Sequence, residues 1–550
     1  MINSMNTISH PNKKAFINGK VYTVNKKQPF AQAVITENNK IIFVGTNENA
    51  KKLIDSSIEI IDLQGKLLLP GFNDSHVHFI RGGFYEIGID LRNVTSINQF
   101  REKLKEDAGI HKGKWITGGR WDHEKFKVKK LPSKENVDDI TPDTPLFLSR
   151  LDGHSALVNS YALKLAGITK DSKNPEGGLI EKDHKTGEPT GILKDNAINL
   201  VLSKIPGPTE KDYYEACIIA LNKAMGFGIT SIQDITFNYN SDPNKTITDL
   251  FAFQNIKRDG KLTCRIYTRL PINNYNDLSR EGIQYNFGDE LLRVGSLKAY
   301  VDGSLGSSTA WFFETYENDS VNYGLPNTIV TDGRLRKWCL DADNHKLQIS
   351  AHAIGDHANS YLLDLAEELE NNNPGWDRRF RIEHAQHVKP EDIKRFAKLG
   401  VIASVQPTHC IEDGSWALKR IGKERINYTH PYKSLLELGV KLCFGTDWPV
   451  VSLNPLVGIY AAVTRRKVDF KNPDGWIPEQ KIPVEDAIKC YTTNSAYAEY
   501  AETIKGSIEP GKLADMVVLS DDILTIDPVK IKDVKVEMTI FDGKVIYRCN

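Results

Sequence analysis

Neither sign of charge is in excess in this chain: Lys and Arg together number 71, Asp and Glu also 71, and the formal net charge is zero. Without a basic surplus there is no overall field to hold nucleic acid or an anionic membrane, so a small-molecule substrate is the expected partner. Long apolar runs are also missing. Nowhere do about eighteen such residues follow one another, the length a membrane-spanning helix needs. Residues 1–14 are polar and lack the apolar stretch of a secretory signal, so a cytoplasmic protein is expected. The seven cysteines (217, 264, 339, 410, 443, 490 and 549) are odd in number and form no Cys-x-x-Cys pair. That pattern argues against a disulfide framework and a zinc ribbon, and leaves reduced core residues. A Gly-rich phosphate loop is absent after every candidate strand.

What is present is ample material for a large core. The chain has 550 residues, 40% hydrophobic and 26% charged, which is ordinary for globular protein and long enough for more than one domain. Short strand patterns with Asn-Gly and Asn-Asn turn signals fill residues 15–61, and the same texture returns at 516–519 and 534–547. The C-terminal group is too small to stand alone, so the two termini are expected to pair into one small β-sandwich domain, residues 1–68 with 506–550.

Between them, over 69–505, apolar runs alternate with helical patterns, as in parallel strands joined by crossover helices. Eight candidate strands can be drawn, at 67–69, 229–235, 264–270, 294–300, 347–353, 380–385, 401–405 and 441–444. The leading architecture is an α/β fold, a (β/α)8 TIM barrel, with an open doubly wound sheet as the alternative. The interval 80–228 is too long for one structureless loop and must fold. It leaves the barrel after its first strand, and is expected to form a lid over the face where barrel enzymes keep their active sites.

His76 and His78, separated by one residue at the end of an apolar run, would share one face of a strand about 7 Å apart, within reach of a common metal ion. Four further segments place Lys298, His352, His384 and Asp447 at or just beyond candidate strands. For each residue alone a structural role is the simpler account. Together they point to a metal site, because ionisable groups are rare at the ends of buried strands unless something pairs them.

The stretches 70–78 (PGFNDSHVH), 302–307 (DGSLGS), 352–356 (HAIGD), 381–386 (RIEHAQ), 445–449 (GTDWP) and 506–515 (GSIEPGKLAD) carry a resemblance to the amidohydrolase superfamily. Within it, the chain resembles the amidohydrolase 3 branch of N-substituted formamide deformylase-like enzymes. The resemblance implies two divalent metal ions, expected to be zinc. His76 and His78 would bind one with Asp447, His352 and His384 the other, and Lys298 would bridge them after carbamylation by carbon dioxide. It further implies hydrolysis of a non-peptide carbon–nitrogen bond (an amide, formamide or cyclic amide) by a metal-activated hydroxide, with Asp447 as the catalytic proton shuttle. If Lys298 stays unmodified and pairs with Asp302, a mononuclear site remains. A deaminase of the same superfamily and a non-catalytic barrel relative acting as a binding module are the alternatives.

Softer signals mark His154, Trp121 with Asp122, and Gln406 as candidate substrate contacts. His345, His357, His387 and His409 lie near ligand segments and are read as surface or supporting residues. A homodimer is compatible with these features.

Overall fold

The computed structural model describes residues 12–109, 114–150, 155–236, 249–469 and 472–549. Eight strands form one parallel sheet in chain order: β1 (Phe72–Val77), β2 (Ile229–Ile235), β3 (Arg265–Pro271), β4 (Leu292–Tyr300), β5 (Ile349–Ala353), β6 (Arg381–His384), β7 (Ile402–Val405) and β8 (Leu442–Phe444). The two ends meet just past the strands, where Asp447 N–H donates to the His76 carbonyl at 2.7 Å and His78 N–H to the Trp448 carbonyl at 2.9 Å. This is a (β/α)8 barrel. Its helices carry the stop and start signals that alternation with strands requires. The helix Pro390–Leu399, for example, opens on proline with Glu391 and Asp392 in its first turn, buries Ile393 and Phe396, and stops at Gly400 with φ +63°.

The first barrel strand is not where the apolar run predicts it. Leu67–Pro70 belongs to another sheet, pairing antiparallel with Met516–Leu519 and parallel with Lys20–Tyr22, and the barrel begins only at Phe72. Gly71 is the joint between the two. A Cβ there would fall 2.2 Å from Thr230 Oγ1 on β2, so only glycine lets the chain pass this close. A continuous apolar run records burial but not the sheet that provides it, which is why the sequence merged two strands into one.

Both termini contribute to the sheets beside the barrel. One sheet of six strands runs Lys544–Arg548, Val536–Phe541, Met516–Leu519, Leu67–Pro70, Lys20–Tyr22 and Phe30–Ala31. A sheet of four runs Lys40–Gly45, Ala33–Glu37, Lys13–Ile17 and Glu59–Asp62. Phe16, Val34, Ile61, Leu68, Met516 and Ile540 pack in one core between them.

Residues 80–220 are the main part of a second compact unit. It is built on a six-stranded mixed sheet in the order Gly178–Lys182, Pro189–Asp195, Ser155–Val158, Phe147–Arg150, Gly118–Trp121 and Ile89–Asp90. Leu91, Phe100, Leu104, Leu148 and Leu157 form part of its core, with the helix Ile97–Ala108 capped by the Ser96 side chain. Among the described residues, no helix is long and apolar enough to cross a membrane.

Candidate metal centre

Five donor side chains gather where the barrel strands end. His76, His384 and Asp447 each offer a ligand atom, and these atoms lie within 4.8 Å of one another. His78 joins through Asp447, whose Oδ1 is 3.4 Å from His78 Nε2 and 3.5 Å from His76 Nε2. The His352 ring packs against His384, with centroids 4.3 Å apart. All five are at least nine-tenths buried except His352, whose side chain is 12% exposed.

Hydrogen bonds decide which nitrogen each histidine presents. His76 Nδ1 is 2.5 Å from Glu383 Oε2, so this nitrogen donates its proton and Nε2 keeps a lone pair facing Asp447. His352 Nε2 donates to the Gly303 carbonyl at 3.0 Å, which leaves Nδ1 as its lone-pair nitrogen. Burial pushes the His352 pKa down to about 3, with nearby Lys298 adding to the effect, and burial likewise holds His384 well below its usual range beside His352 and His76. Neutral imidazoles with oriented lone pairs are what a divalent cation needs.

The carboxylates are ionised. Burial alone would raise Asp447, but the hydrogen bond from His409 holds it well below the usual carboxylate range. Glu383 is likewise depressed against its own burial by Arg269 and Arg381, with Arg269 Nη1 at 2.7 Å and Arg381 Nε at 3.1 Å. The Glu383 carboxylate thus holds the His76 ring from behind while two buried guanidinium groups neutralise it.

Backbone conformation matters as much as residue type. Glu383 and His384 are neighbours on one strand, and regular alternation would send them to opposite faces. His384 has φ +73° and Ala385 φ +43°, and this left-handed turn lets both side chains face His76. Asp447 also has a positive φ, +59°. Beside it, Gly445 passes the first strand so closely that a Cβ would lie 2.4 Å from the His76 backbone nitrogen. Asp74 ties this crossing together by accepting from Thr446 Oγ1 at 2.5 Å, Thr446 N–H at 2.9 Å and His76 N–H at 3.1 Å.

Lys298 lies on the inner face of β4, buried, and its Nζ has no hydrogen-bond partner. Burial brings its pKa down to about 7 against the opposing pull of Glu383. The Asp302 carboxylate accepts from the backbone N–H groups of Trp311, Ile354 and Gly355 at 2.8, 3.0 and 2.8 Å, so it is not the partner of this amine. An orphaned buried amine beside a cluster of neutral imidazoles and one carboxylate fits a cation site that the amine completes once modified.

The softer candidates fare differently. Gln406 is buried after β7 and donates to the Ser404 carbonyl at 3.2 Å. For Trp121 the structure corrects the pocket reading in favour of core packing, the simpler account of a tryptophan: its ring is fully buried in the core of the second unit, with the indole N–H given to the Leu148 carbonyl at 2.9 Å. Asp122 pairs with Arg150 at 3.1 Å, and His154 lies outside the described residues. Two residues proved closer to the centre than the sequence suggested. His409 Nε2 donates to Asp447 Oδ2 at 3.2 Å, and Glu383 holds His76 as described. Proximity to the ligand segments hinted at the first; nothing in the alternation of β6 announced the second.

The chain is similar to known proteins over most of its length. Protein LONG AFTER FAR-RED 3 of Arabidopsis thaliana is 36% identical over 92% of this chain and 86% of its own length. The putative amidohydrolase YtcJ of Bacillus subtilis is 30% identical over 96% and 98%, and the N-substituted formamide deformylase of Arthrobacter pascens 24% over 96% and 97%. Among solved structures, an uncharacterized metal-dependent hydrolase from Pyrococcus horikoshii superposes with a TM-score of 0.77 at 28% identity, covering 94% of this chain and 99% of that one. Residues 59–547 match the amidohydrolase family as a whole, and the chain belongs to that family.

Proposed function

We propose that this hydrolytic enzyme uses a divalent metal centre to cleave a non-peptide carbon–nitrogen bond in an amide, formamide or cyclic amide. The observation that carries the reading is the set of imidazoles around ionised Asp447, with the lone pairs of His76 and His352 set by Glu383 and by the Gly303 carbonyl. Imidazole and carboxylate donors suit zinc, and His76, His78, His352, His384 and Asp447 would hold it. When bound, such an ion supplies Lewis acidity towards a carbonyl oxygen and lowers the pKa of water towards neutrality.

The protein's own groups do the rest. Asp447 is ionised, so it can take a proton from water attacking the carbonyl carbon and deliver it to the nitrogen as the carbon–nitrogen bond breaks. The carbonyl carbon leaves as a carboxylate and the nitrogen as an amine. Lys298, with its pKa near 7, has a substantial neutral fraction at cellular pH, the form able to add carbon dioxide and become a carbamate. Its two anionic oxygens would suit a pair of ions, which an ammonium cannot ligate.

The test is metal analysis of purified protein together with a panel of amides, formamides, cyclic amides and amino-substituted heterocycles, scored for both carboxylate and ammonia. Turnover of an amide with about one or two equivalents of metal is the expected outcome. Ammonia released from a ring amine, with the amides untouched, would assign the protein to the deaminases instead.

A further inference from the structure

None of the five donors of the metal centre comes from β7, yet the short helix that follows it, Pro407–Asp413, reaches towards the strands on both sides. His409 and Asp413 are four residues apart and so lie on one helical face. His409 holds Asp447 beyond β8, as described. Asp413 serves the other neighbour, β6. Its Oδ2 accepts from Gln386 Nε2 at 2.9 Å and from His430 Nε2 at 3.1 Å, and all three residues are more than nine-tenths buried. His430 is fixed in turn. Its Nδ1 lies 3.1 Å from the Tyr432 hydroxyl, and its backbone N–H donates to the Gln386 carbonyl at 2.5 Å. Burial keeps this imidazole neutral, so Nε2 carries the proton given to Asp413 and Nδ1 accepts from the tyrosine.

Gln386 follows the two residues whose backbone places His384. His384 and Ala385 have φ +73° and +43°. Neither is glycine, and a left-handed conformation costs such residues free energy that the surroundings must offset. The chain leaving the turn is accordingly held: His387 N–H donates to the Ile354 carbonyl at 3.1 Å, and Asn359 Nδ2 to the His387 carbonyl at 3.2 Å. Backbone bonds of that kind suit any sharp exit from a strand. The Gln386 side chain is different, because it reaches a buried carboxylate that, among the described residues, pairs with no lysine or arginine.

We propose that Asp413 is a positioning residue: through Gln386 it clamps the left-handed turn that presents His384 to the metal ion, so that one helix braces ligands from both flanking strands. The inference rests on the metal-centre reading above and adds a support to it. Removing a partner that stands behind a ligand costs about 10- to 100-fold in metal affinity.

The experiment uses full-length protein loaded with cobalt(II), whose visible absorption reports the number and kind of its ligands. Asp413→Ala removes the acceptor. Gln386→Leu cuts the same tether from the other end, and reads the clamp even if the alanine variant does not fold. Asp413→Asn keeps an oxygen for Gln386 and His430 and alters only the charge, while His384→Ala supplies the spectrum of a centre lacking that ligand. Asp413→Ala and Gln386→Leu are expected to bind cobalt about 10-fold or more weakly, with spectra moved towards that of His384→Ala. Asp413→Asn should keep the wild-type spectrum and an affinity within about 2-fold of wild type, since its acceptor survives. Wild-type affinity and spectrum in the tether variants would overturn the proposal. So would weaker binding with an unmoved spectrum, the mark of general loosening, or an asparagine variant as impaired as the alanine one. Wild-type protein that takes up no cobalt fails the metal-centre reading, and this inference with it.

Discussion

Nδ1 of His76 lies 2.5 Å from Oε2 of Glu383, and the other oxygen of that carboxylate is 2.7 Å from Arg269 Nη1. One buried carboxylate therefore orients a candidate metal-binding imidazole and balances a guanidinium at the same time.

Replacing Glu383 with Gln tests this double role. The amide can still accept from His76 but cannot neutralise Arg269 and Arg381. Metal affinity is expected to fall about 10- to 100-fold. Breaking a fully buried ion pair from one side costs about 3–5 kcal/mol of stability. The depressed pKa of Glu383 sets the sign of the pH dependence: its contribution is present above the unfolded-state pKa and lost as pH falls through the folded value. Urea unfolding as a function of pH should accordingly show wild type losing stability in acid more steeply than Glu383→Gln. Parallel profiles would argue against the carboxylate's charge being the relevant property.

Asp447→Asn should abolish most turnover while four imidazoles still retain much of the metal. Removing the proton acceptor is expected to lower kcat about 10²- to 10⁴-fold, as for general acid–base groups. His409 donates to the outer oxygen of Asp447, so His409→Ala should cost less in kcat and leave metal content near wild type. Near-normal kcat in the metal-loaded asparagine variant would move the proton shuttle elsewhere.

Lys298 predicts a pH dependence for reconstitution. Its folded pKa of about 7 lies below the ordinary lysine value, so the neutral amine grows as pH rises through 7 and is scarce below it. Incubating metal-free protein with metal and bicarbonate should therefore restore activity roughly 10-fold faster at pH 8 than at pH 6, after correction for the carbon dioxide present. A Lys298→Ala protein should lose this bicarbonate dependence. Bicarbonate-independent reconstitution of the wild type would count against a carbamate.

Gly445→Ala places a methyl group 2.4 Å from the His76 backbone nitrogen, where no flexible side chain can yield. Overpacking of this kind costs about 1–3 kcal/mol and should displace His76. Thermal unfolding and metal titration of the variant should both report the loss. Unchanged melting with unchanged metal affinity would show that the crossing of β8 past β1 is more pliable than the structure indicates.

The sequence by itself determined the architecture and the chemistry available to it. Alternating apolar runs and helical patterns specify parallel strands with crossover helices because each strand must be buried on both faces. Ligand-type residues at strand ends, such as His352 and Asp447, are visible because polar groups interrupt those runs. The terminal strand patterns are equally legible, since period-two alternation is a local property. Tertiary structure alone decided the rest. The run around Leu67 split at Gly71 because burial against the terminal sheet and against the barrel look identical in sequence. Glu383 and His384 face one centre because of a positive φ that alternation does not foresee, and Trp121 turned from a pocket candidate into core because its indole found Leu148. Periodicity is set by neighbours along the chain, whereas these outcomes depend on groups remote in sequence or on a backbone turn held by its surroundings.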